Sequence, residues 1–112
     1  MDDISPPTIE TKEVRRAAEH RAFENVTRQM AEAETLGEAN AARSALETNR
    51  VLWSILKDNI FADENQLPSD LKGQIFSLAN WVDGYTAKVL EGEKEIGALI
   101  SINNTIMEGL AA

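Results

Sequence analysis

The chain has no cysteine in its 112 residues, which excludes disulfides and thiolate metal sites. It has one histidine, His20. A single imidazole without thiols makes no recognisable transition-metal site, and it leaves no obvious partner for a serine nucleophile, since a Ser–His pair needs a third orienting group and an oxyanion hole. Neither GxGxxG nor GxxxxGK[ST] occurs, so no phosphate-cradling loop is legible. Asp63 and Glu64 are adjacent carboxylates, but no EF-hand spacing follows them. The expectation is a chain that is not an enzyme and needs no cofactor or metal. Basic residues are also scarce. Lys and Arg total 11 against 19 Asp and Glu, giving a net charge of −8 and a pI near 4.6. That balance argues against nucleic acid and against anionic membrane surfaces.

Long apolar runs are missing too. The longest are a few residues, such as Leu99-Ile100, where a membrane span needs about 20. The start, Met1-Asp2-Asp3-Ile4, has neither the basic n-region nor the apolar core of a signal peptide. The expected location is the cytoplasm. The hydrophobic content, 43%, is ordinary for a folded protein. A chain of this length buries roughly 65% of its unfolded surface in one domain. The expectation is a single helical domain over residues 1–112, with residues 1–8 as an extended lead-in.

Proline is restricted to Pro6, Pro7 and Pro68, so two long stretches lack the strongest helix breaker. Thr8 or Thr11 can cap a first helix that ends near Leu36, with Gly37 as its C′ residue. Phe23, Val26, Met30 and Ala33 put a 3, 4, 3 stripe on that helix, and Val14, Ala18 and Ala22 extend a neighbouring row. A second helix starts between Glu38 and Ala41 and ends near Phe61. It carries Ala42, Ala45, Asn49, Leu52, Leu56 and Ile60 on one face, widened by Leu46 and Trp53. Residues 62–66 read as a loop, and Pro68 sits at or near the first position of a third helix. There Leu71, Ile75, Leu78, Val82, Tyr85 and Val89 alternate by 4 and 3, flanked by Trp81, and Gly92 is the stop. A fourth helix from about Glu93 to Leu110 repeats the pattern with Ile96, Leu99, Asn103, Ile106 and Leu110.

Four amphipathic helices with short connections pack most simply as a small all-α bundle. The first helix is long, alanine-rich and thin in large apolar residues. Most burial energy is therefore expected in the other three, and the alternative is a loosely docked first helix beside a three-helix core.

Asn49 and Asn103 interrupt apolar stripes. They are either buried amides satisfied by a carbonyl or by each other, fixing register, or donors to a partner's backbone. Trp53, Trp81 and Tyr85 are either core or interface anchors. Gly73, Gly84 and Gly97 fall within the third and fourth helices, where each costs about 1 kcal/mol relative to Ala. Close helix approach and a helix that flexes both account for them. All six arginines lie in the first half, four of them on the first helix among glutamates. They read as a solvated mixed-charge face, with an RNA-binding stripe as the alternative.

In the second half the order of motifs becomes specific. Asn49-Arg50-Val51-Leu52-Trp53 is followed by Leu67-Pro68, by Trp81-Val82-Asp83-Gly84-Tyr85-Thr86, and by Asn103-Asn104-Thr105-Ile106-Met107-Glu108-Gly109-Leu110. This combination resembles the FlaF family of flagellar biosynthesis regulators from alphaproteobacteria, from about Glu19 to Leu110. Glu19, Arg21, Phe23, Val26 and Thr27 add weaker agreement. The chain departs from the family pattern at Gly84 and Asn104, where the resemblance leads one to expect basic residues, and in the stretch up to about Lys12.

The resemblance implies a cytoplasmic protein that binds flagellin in the manner of an export chaperone. It also implies work alongside FlbT, the regulator of flagellin messenger translation. The alternative is a translational regulator acting with FlbT or on a ribonucleoprotein. The candidate partner-binding residues are Asn49, Trp53, Trp81, Tyr85 and Asn103, which combine matched motif positions with polar or aromatic placement on apolar stripes. Two routes are open. A partner lies across a groove containing Trp53, Trp81 and Tyr85, or it displaces the first helix. The expected partners are flagellin and FlbT, without direct contact to nucleic acid or membrane.

Overall fold

The fold, taken from a computed structural model, is described for residues 12–60 and 68–111, and its side chains for 20–60 and 68–108. The expected lead-in, the threonine caps, the 62–66 loop and the side chains of Val14, Ala18 and Leu110 lie outside the described residues. All regular structure that is described is helical: α1 Lys12–Leu36, α2 Ala39–Asn59, α3 Ser69–Leu90 and α4 Gly97–Ala111. The small helical bundle read from the sequence is the architecture found.

The packing order differs from the order of apparent hydrophobicity. α1 packs against both α2 and α4, and α3 packs on α2. Phe23, Val26, Met30 and Ala33 of α1 are all buried. Phe23 and Met30 join Leu46, Trp53 and Leu56 of α2, its C-cap Ile60, and Leu99 of α4 in one continuous core with Ile75 and Val82 of α3. The first helix is therefore docked within its own chain, and the stand-off arrangement does not occur. Counting apolar residues per length undervalues α1. Its few large residues share one narrow stripe, and two helices cover that stripe.

Gly37 ends α1 in the left-handed conformation, with φ +67°. Its N–H and that of Glu38 both reach the Ala33 carbonyl, at 2.9 and 3.3 Å. This closure lets α2 fold straight back with a two-residue connection. A side chain there meets no neighbour but has to adopt a conformation that L-residues avoid. Gly37→Ala is expected to cost about 1 kcal/mol, read as a lower urea midpoint at unchanged m-value.

α4 begins later than the sequence suggests. Gly92, at φ +81°, closes α3 by donating to Val89 while Glu93 donates to Lys88. The Tyr85 hydroxyl then donates to the Glu95 carbonyl at 2.8 Å. The first turn of α4 is built on the Ile96 carbonyl, which accepts from Leu99 and Ile100. Gly97 is thus the first residue of α4 rather than an interior one. Pro68 is the N-cap of α3, one place before its first helical residue. A Cβ at Gly73 or Gly84 meets nothing within 4 Å, so close helix approach inside the described chain does not account for these two glycines.

Candidate functional site

The five residues singled out by the sequence separate into two groups. Asn49, Trp53 and Asn103 lie in the interior, with relative exposures of 0%, 1% and 0%. Trp81 and Tyr85 lie at the surface of α3, Trp81 being 42% exposed and Tyr85 half-buried. In this conformation the first three present no surface to a partner, so the five do not form one contact patch.

The interior group is a polar node joining three helices. The indole Nε1 of Trp53 on α2 donates to Asn103 Oδ1 on α4 at 2.8 Å. An indole nitrogen can only donate, so Asn103 must turn its oxygen toward Trp53 and its Nδ2 the other way. That Nδ2 donates to Asn49 Oδ1 at 2.7 Å and to Thr27 Oγ1 on α1 at 3.0 Å. The Thr27 hydroxyl in turn donates to the Phe23 carbonyl, 2.6 Å away. Asn49, having presented its oxygen to Asn103, is left with a buried Nδ2 that has no partner among the described residues. Such an orphaned donor costs about 1–3 kcal/mol. The Phe23 and Trp53 rings meet edge to face beside the node, with centroids 5.6 Å apart. Of the two readings of the asparagines, mutual satisfaction within the bundle is the one found, for every amide group but one. Thr27 joins the node without standing out in the sequence as a partner. A threonine inside an apolar helix stripe, four residues after Phe23, is the available signal.

The surface group lies on α3. Trp81 and Tyr85 are one turn apart and stack at 4.7 Å with an interplanar angle of 24°. Leu71 is exposed and Leu78 half-buried on the same side by helical spacing. The tyrosine's bond to Glu95 anchors the lower ring of the stack, so the indole is held against a fixed neighbour.

Between α2 and α3 runs a cleft of about 200 Å³ lined by Arg50, Trp53, Ser54, Lys57, Ala79, Val82 and Asp83. Arg50 Nε donates to Asp83 Oδ1 at 2.7 Å, and Lys57 Nζ donates to Asn80 Oδ1 at 2.8 Å. The Lys57 ammonium also stands 5.0 Å from the Phe76 ring centroid. None of these cross-helix ties is legible in the sequence, where Arg50 and Asp83 are only parts of motifs. On the α3–α4 turn, Glu91 has its carboxyl raised above the ordinary value, first by a side-chain hydrogen bond with Glu93 and then by that residue's charge.

The node and the stack lie within a stretch that matches a known family. The model of the family described as flagellar protein FlaF matches residues 7–110. The chain belongs to the FlaF family. The match begins well before Glu19, so the FlaF pattern reaches into the stretch whose sequence looks unlike the usual start. No curated protein and no solved structure matches the chain significantly. Within this FlaF-family chain, N-R-x-L-W supplies Asn49, Arg50 and Trp53 on α2, and W-V-D-x-Y-T supplies Trp81, Asp83 and Tyr85 on α3. The first motif therefore serves both the node and the cleft, while the second serves both the cleft and the stack. No helix among the described residues is long and apolar enough to cross a membrane.

Proposed function

We propose that this flagellar protein binds flagellin before assembly, as an export chaperone-like partner, and so supports or regulates flagellin synthesis and filament assembly. The function is binding rather than catalysis. The observation that carries the reading is the stacked Trp81–Tyr85 pair, with Trp81 exposed on a helix of a flagellar-family protein. A large aromatic held in place at the surface loses little entropy when it is covered, which makes it a good interface anchor. Flagellin's terminal segments are amphipathic and need their apolar faces covered until they meet in the filament. The side of α3 carrying Leu71, Leu78, Trp81 and Tyr85 offers such cover by helix-in-groove contact.

Displacement of α1 by flagellin is the less favourable route. It requires exposing Phe23, Val26 and Met30 and breaking the Thr27–Asn103 bond. Addition to α3 needs neither. Cooperation with FlbT follows in this reading from a shared report of flagellin supply, without contact between this acidic chain and RNA.

Trp81→Ala tests the proposal by calorimetric titration with purified flagellin. The expected result is a roughly tenfold or greater loss of affinity, with the melting temperature nearly unchanged because the residue is partly exposed. Tyr85→Phe keeps the ring and loses only its tie to Glu95, and is expected to weaken binding by no more than about threefold. Equal affinity for Trp81→Ala and the unmodified chain would remove α3 as the binding surface.

A further inference from the structure

Every basic residue of α2 lies in a single row. Arg43, Arg50 and Lys57 are seven residues apart, which places successive charges about 10.5 Å apart on nearly the same side of the helix. The row stands out in a chain of net charge −8. Glu47, four residues after Arg43, borders it on its outer side by helical angle. α3 borders the cleft on the other side, and Trp53, Ala79 and Val82 close its bottom, all three buried, so the surface it offers is mainly polar. Its rim carries the Arg50 guanidinium, the Ser54 hydroxyl and the Lys57 ammonium.

A carboxylate already sits on this rim. Asp83 accepts from Arg50 Nε at 2.7 Å, but the second contact, from an Arg50 Nη to the Asp83 carbonyl oxygen, is 3.4 Å long. The guanidinium fork is thus engaged by one carboxylate oxygen and not by two. The side chains of this pair are 37% and 66% exposed, so water and other carboxylates compete for both ends. Lys57 spends one of its three N–H donors on Asn80.

We propose that the α2–α3 cleft and the Arg43–Arg50–Lys57 row form a carboxylate-recognition site for an acidic segment of a protein partner. The segment's carboxylates replace Asp83 on Arg50 and pair with Lys57. Asp83 acts as an internal stand-in for the ligand. Sparse carboxylates suit the site better than a phosphate polymer, because a dense polyanion has to approach a chain of strongly negative net charge. The proposal does not depend on the flagellin reading, since it concerns a different face of α3 and a different chemistry.

The test uses the full chain and a synthetic helical peptide with glutamates at seven-residue spacing separated by alanine and leucine. A version with glutamine in place of each glutamate, and inorganic tripolyphosphate, are the controls. Binding is followed calorimetrically at low salt, with circular dichroism confirming that each variant is folded. The glutamate peptide is expected to bind. Its affinity is expected to fall about fivefold in Lys57→Gln and in Arg43→Gln, and to rise about threefold in Asp83→Asn. Asp70→Asn changes the net charge equally but lies outside the cleft, and is expected to leave affinity unchanged. The proposal is overturned if the glutamine peptide binds as well, if tripolyphosphate displaces the peptide at equal concentration, or if the two Asp→Asn variants shift affinity alike. Absence of binding by the glutamate peptide at about 1 mM, an interaction of only about −4 kcal/mol, overturns it as well.

Discussion

Trp53→Ala is expected to lower stability by about 4 kcal/mol, more than any other single substitution proposed for this chain. The indole is 1% exposed and stands where α1, α2 and α4 converge. Its removal opens a cavity beside Phe23, ends the edge-to-face contact, and leaves Asn103 Oδ1 without its donor. For a domain of this size each kcal/mol shifts the melting temperature by about 4–8 °C, so the transition falls by roughly 15 °C or more. Trp53→Phe separates the two contributions. It restores most of the packing but not the N–H, and is expected to recover roughly half of the loss. Thermal and urea denaturation followed by far-ultraviolet circular dichroism read both values. A melting temperature within a few degrees of the unmodified chain for Trp53→Ala would mean that the tryptophan is not at the centre of the core.

Asn103→Leu is expected to cost about 3 kcal/mol, and Asn49→Leu distinctly less. The asymmetry follows from the direction of the hydrogen bonds. Asn103 uses its oxygen for Trp53 and its nitrogen for both Asn49 and Thr27. Its loss strands the indole N–H and the whole Asn49 amide in an apolar interior. Asn49 makes one bond and already carries an orphaned Nδ2. Its loss leaves Asn103 with two partners and removes a donor that had none. The double variant is expected to be less destabilised than the sum of the single ones, because the second leucine removes the groups stranded by the first. A double-mutant cycle in urea gives the coupling. Additive effects within about 0.5 kcal/mol would contradict the network as described.

Much of this architecture is legible in the sequence, for physical reasons. The 4, 3 alternation of Leu71, Ile75, Leu78, Val82, Tyr85 and Val89 can bury only one side of a helix, and the structure buries Ile75 and Val82. The positive φ of Gly37 and Gly92 is what a glycine directly after a periodic segment signals. Asn49 and Asn103 are visible as polar residues on apolar stripes, and the simplest way to satisfy them is with each other.

Other features depend on which helix covers which flank, and periodicity does not carry that. Trp53 and Trp81 both flank the apolar stripe of their own helix, yet one is sealed by α1 and α4 while the other stays at the surface. α4 starts only at Gly97, after a turn where Tyr85 bonds the Glu95 carbonyl, and no local pattern encodes that contact. The cleft ties Arg50–Asp83 and Lys57–Asn80 span 33 and 23 residues, beyond the reach of any helical spacing rule.

The proposed binding of flagellin is tested most directly by size-exclusion chromatography with light scattering. The chain is mixed at micromolar concentration with flagellin monomer and, separately, with flagellin lacking its terminal segments. A stable complex with intact flagellin that disappears on truncation is the expected result. Elution of the two proteins as separate species, with flagellin intact, would contradict direct flagellin binding and leave FlbT as the partner to examine.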